Sequence, residues 1–311
     1  MEPGLLKSAD WPALIDVYFF LGGIAGGAFV IATIANLLDG ERYRDVVRIG
    51  YYIAFLAVTP GPILLTVDLG VPTRFLHMLM VSKPSLAIGM DAVTVGPFHL
   101  KPFSPMNAGA WALLGFSLFA FLAALDVFLE HRGGRSMRTL RVVVGVIGGF
   151  FAFFLAAYPG VLLGATARPL FVGAHWLGAL FLAVGASTGG AAIALVLSVL
   201  GGQRGDALAR LMRFTAFALI VQLAALALFV LTVSTTGSAG IARALAQLIA
   251  GSYGVPFWLG AVVIGIVVPL ALQFAGVVRK TAPAITALMS LLILVGGFAV
   301  KYVIIAAGQA T

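Results

Sequence analysis

The sequence predicts an all-α polytopic membrane protein of eight spanning helices, with both termini on the outer side of the membrane. Three observations predict it. Hydrophobic residues make up 61% of the 311 residues and charged residues only 10%, whereas soluble domains carry about 25% charged residues. Mean hydropathy is +1.10. The apolar residues also gather in runs that reach the roughly 20 residues a helix needs to cross a bilayer. Finally, the basic residues alternate between successive connections, as the positive-inside rule requires.

The spans are expected at 13–38, 46–69, 107–130, 141–166, 171–200, 212–233, 255–278 and 282–306. The N-terminus, MEPGLLKSAD, lacks the basic region of a signal peptide, so the first helix is expected to be retained. Connections after spans 1, 3, 5 and 7 hold Arg42, Arg44 and Arg48; Arg132, Arg135, Arg138 and Arg141; Arg204, Arg210 and Arg213; and Arg279 with Lys280. The opposite side holds Lys7, Arg74, Lys83, Lys101, Arg168 and Arg243. This bias sets the inner side and points both termini outward, away from the cytoplasm. It also explains the net charge of +8 without a nucleic-acid partner. There is no cysteine, which excludes disulfides, thiolate zinc sites and thiolate-held iron–sulfur clusters on this chain. No Walker A sequence suggests a nucleotide site.

The first run, Trp11 to Phe29, carries Asp16, Tyr18 and then Gly22, Gly23, Gly26 and Gly27. Small residues at four-residue spacing let helix backbones approach closely in lipid. The two longest connections, 70–106 and 234–254, both fall outside. The first holds Pro72, Pro84, Pro97, Pro102 and Pro105, has no helical period, and reads as an ordered irregular loop. The second spaces Ile241, Leu245, Leu248 and Ile249 for a short amphipathic helix at the interface. Long outer and short inner connections suit a partner docked outside; they suit tolerated insertions equally.

Ionisable residues inside a membrane are the most informative part of such a sequence. Asp16, Tyr18, Asp68, Tyr158, Arg168, His175 (expected to begin span 5) and Lys301 all fall in the outer half. Each also has a plainer reading. Asp16 suits a helix cap, and Tyr18 and Tyr158 suit an aromatic belt. Asp68 suits an ion pair with Arg74 or Arg168. His175 suits an interhelical hydrogen bond, and Lys301 suits snorkelling to the interface. For Tyr158 the following Pro159-Gly160 predicts a broken helix whose freed backbone groups favour a site. Asp126, Glu130 and His131 form a separate inner group that reads as a solvated helix end. Haem fits poorly, because among His77, His99, His131 and His175 only the pair His77 and His175 is compatible in depth.

Five stretches in order, GGIAGGAF, DLGVPTRF (68–75), SPMNAGAW (104–111), YPG (158–160) with Arg168-Pro169, and LVGGFAVKYVIIAAGQ (294–309), resemble the NrfD/PsrC family of membrane subunits of polysulfide reductase-like complexes. The resemblance covers nearly the whole sequence. It implies two four-helix bundles, 1–166 and 167–311, with a quinone or quinol site (menaquinone or ubiquinone) near the outer face of the first. It implies no haem or metal in this subunit. It further implies a ferredoxin-like iron–sulfur partner docked outside, and beyond it a molybdopterin catalytic subunit. The quinone-contacting tyrosine of the family matches Tyr158. The family's helix-1 histidine falls on Tyr18 and its asparagine on Ile15, so this sequence departs from the pattern there, and Asp16 stands as an alternative polar contact. Asp68 lies close to, but not in register with, the acid to which proton transfer is ascribed in the family.

The expectation from these readings is a quinone-reacting membrane anchor. Tyr158 with Tyr18 or Asp16 contacts the quinone, with Arg168 and His175 nearby. Asp68, together with Asp16, exchanges the protons, and Arg74, Asp126 and Lys301 extend a proton path. The rival is a proton- or ion-translocating transporter without quinone chemistry, resting on Asp16, Asp68 and Asp126 and on the Pro60-Gly61-Pro62 break, with Gln222, Ser187 and Thr188 as the polar groups at the midplane.

Overall fold

In a computed structural model, the described residues are 11–80, 93–101, 103–134, 137–172, 174–200, 205–275 and 283–310. The N-terminal stretch 1–10 with Lys7, and Lys83, Pro84, Pro102, Arg135, Arg204, Arg279 and Lys280, lie outside them. Among the described residues, eight helices are long and apolar enough to cross a membrane. The protein is a multi-pass, all-α membrane protein.

The first span is α1 (Ala13–Asp39). The second is α2 (Arg44–Val58) running on into α3 (Pro60–Asp68). The junction sits at Thr59 because neither Pro60 nor Pro62 has an N–H to continue the ladder. Thr59 bonds the Phe55 carbonyl twice, through its N–H at 3.1 Å and its hydroxyl at 2.7 Å. Then follow α4 (Pro105–His131), α5 (Arg138–Gly164), α6 (Leu177–Leu200) and α7 (Gly205–Thr235). The amphipathic α8 (Ala239–Ile249) turns Ile241, Leu245 and Leu248 inward, as their spacing predicts. A π-helical segment, Pro256–Val267, continues into α9 (Val268–Phe274) as the seventh span, and α10 (Pro283–Gln309) is the eighth.

Three local expectations change. The fifth span begins at Leu177 rather than 171, because Arg168-Pro169-Leu170 turns tightly, with the Arg168 carbonyl accepting from Phe171 and Val172. The described parts of the 70–106 connection are not irregular: they fold a 3-10 helix, Pro72–Met78, and a hairpin of β1 (Val93–Val95) with β2 (Phe98–Leu100). Gly96, at φ +60°, supplies the left-handed residue that a two-residue hairpin turn needs. And α5 runs unbroken through Pro159.

Helix α1 packs on α2, α5 and α6, and its glycines set how closely. A Cβ on Gly27 would lie 2.0 Å from the Gly185 carbonyl oxygen, and one on Gly189 would lie 2.4 Å from the Ala28 nitrogen. The α1 and α6 backbones therefore touch, with no room for side chains between them. Gly26 meets the Ala152 carbonyl of α5 in the same way, at 2.7 Å. Farther along, Gly265 and Gly296 join the seventh span to α10.

Candidate functional site

Tyr158 lies on α5, with its ring stacked on Phe154 at 5.9 Å between centroids. The ring reaches across to α4 because Gly109 leaves the space open: a Cβ there would sit 2.2 Å from Cζ and 2.5 Å from the hydroxyl. Tyr18 reaches from α1 to α3, where Gly61 lies 3.2 Å from its ring when a Cβ is added. Gly61 also faces Leu113 of α4. The two tyrosines are buried, at 4% and 6% exposure, and lie within electrostatic range of each other. Neither hydroxyl makes a hydrogen bond among the described residues. The residues are buried, but their hydroxyl oxygens are not among the fully enclosed, unpartnered atoms, so two phenols on neighbouring helices are left able to hydrogen-bond a ligand carrying polar oxygens.

Asp16 does not share this face. Residues two apart on a helix point to opposite sides, whereas 16, 20, 23 and 27 share one. Gly23 and Gly27 face α6, and Lys301 of α10 approaches Gly23. Asp16 is buried and its Oδ1 has no partner among the described residues. Tyr18, not Asp16, is therefore the helix-1 group beside Tyr158.

Lys301 does not snorkel. It is fully buried, and its Nζ donates to the Phe19 carbonyl at 2.5 Å and lies 5.1 Å over the Phe181 ring. The Phe19 carbonyl is reachable because the residue one turn on, Gly23, has no side chain to cover it; a Cβ there would meet Nζ at 2.7 Å. No carboxylate pairs with this lysine among the described residues.

The other outer candidates are dispersed. Asp68 ends α3 and is exposed, and among the described residues no ion pair joins it to Arg74 or Arg168. Arg74 is exposed on the 3-10 helix. Arg168 caps α10 by donating to the Gln309 carbonyl at 3.1 Å. The Gln309 side chain in turn clasps the backbone of Trp11, accepting from its N–H and donating to its carbonyl at 3.1 Å. His175 is exposed in the turn before α6, not within it.

At the opposite end, Asp126, Glu130 and His131 are not a solvated helix end. Asp126 and Arg141 are buried, and Arg141 bonds both Asp126 and Glu130. Arg44 reaches Glu130 at 3.4 Å, and Arg48 reaches His131 Nδ1 at 2.9 Å. This ion cluster ties α2, α4 and α5 together. One turn deeper, Tyr51 and Thr33 are bonded at 3.2 Å, and Thr33 also faces the Gly145 carbonyl at 3.4 Å. At the midplane, Ser187 of α6 donates to Gln222 of α7 at 2.6 Å.

Residues 2–311 match the family described as "Polysulphide reductase, NrfD". The protein belongs to the NrfD family. It is similar to the "Protein NrfD homolog" of Haemophilus influenzae, 27% identical over 97% of this sequence and 95% of that protein. It is also similar to a polysulfide reductase chain of Wolinella succinogenes, 28% identical over 96% and 93%. A selenate reductase subunit of Mesobacillus selenatarsenatis matches over a shorter stretch, 23% identical over 35% of this sequence and 25% of its own.

The five NrfD-like stretches acquire structural meanings. GGIAGGAF is the α1 seam, and DLGVPTRF ends α3 and opens the 3-10 helix. SPMNAGAW sews the described parts of the 70–106 connection to α4: Asn107 accepts from the Lys101 N–H at 2.7 Å and donates to the Met78 carbonyl at 2.6 Å, and Trp111 donates to the His99 carbonyl at 2.8 Å. YPG carries Tyr158 and lets α5 touch α6, since a Cβ on Gly160 would lie 2.5 Å from the Gly178 nitrogen. The last stretch carries Lys301 and Gln309. Gly109, Asn107 and Gln309 do not stand out in the sequence as candidates, and Gly61 does so only as part of the Pro60-Gly61-Pro62 break. Their signal is nonetheless there: a small or amide residue inside or beside a family-like stretch, one turn or so from a polar candidate.

Proposed function

We propose that this protein is the quinone/quinol-reacting membrane anchor of a multi-subunit respiratory oxidoreductase of the bacterial inner membrane. The observation that carries this is the pair of buried, unbonded phenols of Tyr18 and Tyr158, held by Gly61 and Gly109. Their donors fit the two carbonyl or hydroxyl oxygens of a menaquinone or ubiquinone head group. When bound, the quinone supplies a two-electron, two-proton couple. The protein's own residues orient it, exclude water and move the protons. Asp68, exposed at the end of α3, is the proton-exchanging acid toward the outer side; Asp16 and Lys301 are the buried groups behind α1. Asp126, in its cluster with Arg141, is the inner end of the path.

Electrons exchange with a ferredoxin-like iron–sulfur subunit docked outside, which links to a molybdopterin catalytic subunit. The polysulfide reductase and selenate reductase relatives support membership in a reductase complex. The outer loop supports docking: Val95, Phe98 and Phe103 are exposed at 73%, 45% and 84% on a segment sewn firmly to α4. The division into bundles 1–166 and 167–311 belongs to the same proposal. The transporter reading rests on Asp16, Asp68 and Asp126 and on the break at Pro60-Gly61-Pro62; the close approach of the Tyr18 ring to Gly61 at that break favours the quinone reading over it.

The test is binding of a quinol analogue to the purified complex. Tyr158→Phe and Tyr18→Phe are each expected to weaken it about three- to tenfold, the worth of one hydrogen bond. Unchanged affinity in both variants sinks the assignment.

A further inference from the structure

At the end of the molecule away from the tyrosines, α1, α2 and α7 enclose a cavity of about 390 Å³. Among the described residues its charged lining is Arg210 and Arg213, with no carboxylate. A second cavity of about 320 Å³ lies between α1, α5, α6 and α7 and is lined by no charged residue among those described. The two share Ile31, Ile34 and Phe214, so they form one groove, basic at its mouth and apolar along its length. Each is of the size of an ordinary ligand pocket, about 300–1,000 Å³.

The charges at the mouth are unequal in their commitments. Arg42 and Arg210 both pair with Asp206, Arg210 at 3.3 Å. Arg213, one turn farther along α7, is exposed and makes no ion pair or hydrogen bond among the described residues. Arg42 and Arg210 are thus committed to Asp206, with Asp39 also beside Arg42, whereas the Arg213 guanidinium, without an ion pair among the described residues, stands where the apolar groove opens. A guanidinium at a membrane boundary recognises phosphate in a fixed fork geometry.

We propose that this groove is a binding site for one anionic phospholipid, with its phosphate on Arg213 and Arg210 and an acyl tail lying along Ile34 and Phe214 toward α5. Charge complementarity selects this occupant. Free phosphate leaves the apolar length unfilled, and an uncharged isoprenoid leaves the arginines unanswered. Basic pockets between spanning helices are built for such head groups. The site lies on a different part of α1 from the Tyr18–Tyr158 pair and does not depend on the quinone reading.

The full-length protein, purified in neutral detergent, is offered phosphatidylglycerol, phosphatidylcholine with the same acyl tails, or inorganic phosphate, and the lipid retained after washing is measured by native mass spectrometry. Phosphatidylglycerol is expected to be retained over phosphatidylcholine. Arg213→Gln is expected to lower that retention about fivefold, the worth of one basic side chain near an anionic head group, and Arg213→Lys to keep most of it. Ile34→Trp, filling the junction of the cavities, is expected to lower retention of both lipids. An unchanged thermal midpoint in phosphatidylcholine confirms that each variant is folded. Equal retention of the two lipids, or no effect of Arg213→Gln, overturns the proposal. So does displacement of the lipid by a quinol analogue, which gives the groove to an isoprenoid tail, or by millimolar phosphate, which leaves only an anion site.

Discussion

The Tyr158 ring occupies the volume that a side chain on Gly109 would fill, its Cζ only 2.2 Å from where a Cβ would be. The tyrosine's position is thus set from α4, not from its own helix. Gly109→Ala is expected to displace the ring and destabilise the protein by about 1–3 kcal/mol, as overpacking does. It should also weaken quinol-analogue binding more than Tyr158→Phe, because it misplaces the whole ring. Detergent thermal melts together with analogue titration check both. Wild-type binding in a folded Gly109→Ala protein would remove Tyr158 from the site.

Arg141 holds two carboxylates, one of them the buried Asp126. Removing the cation leaves that charge uncompensated, so Arg141→Gln is expected to cost about 3–5 kcal/mol. Asp126→Asn in the same protein should restore part of the loss, because it removes the orphaned charge. Unfolding midpoints of the single and double variants measure this. A double variant less stable than the single one contradicts the pairing.

Lys301 is the contrary case, a buried cation with a carbonyl and an aromatic face but no carboxylate to orphan among the described residues. Lys301→Met is expected to leave stability unchanged or higher, since replacing a buried charge by an apolar side chain is often neutral or stabilising. It lies across α1 from Tyr18, so analogue binding should also hold. Turnover of the assembled complex should fall. Unimpaired turnover takes Lys301 out of the proton path.

Asn107 joins both ends of the described outer loop to α4. Asn107→Ala is expected to free the hairpin and raise its cleavage by protease by about tenfold, as the loss of two buried hydrogen bonds implies. Quinol-analogue binding should change little. Limited proteolysis followed by mass spectrometry reads the difference, and an unaltered cleavage rate would show that Trp111 alone secures the loop.

The spans were legible because each is a long apolar run, and length with hydropathy is a local property of a sequence. Local too was the α8 pattern of Ile241, Leu245 and Leu248. The hairpin was also written locally, as Val93 and Val95 against Phe98 and Leu100 about Gly96-Pro97, but the prolines of the same stretch masked the alternation. The site was legible only in part. Tyr158 stood out by depth. Its partner did not, because choosing between Tyr18 and Asp16 takes knowledge of which side of α1 meets α3. The Arg141 cluster was hidden for the same reason: its acids lie on α4 and its cation on α5, and nothing local says that the two helix ends meet.

The Trp11–Gln309 clasp joins residues 298 positions apart, and Lys301 reaches the Phe19 carbonyl over almost the same span. Helix α1 precedes α6 and α10 in the sequence, so its contacts with them form only after those helices are made. Until α6 arrives its glycine seam lies open, and until α10 arrives the Phe19 carbonyl and the Trp11 backbone go unanswered. The packing around α1 is therefore completed only when α10 is in place, and a polypeptide lacking α10 would leave that ring of contacts open.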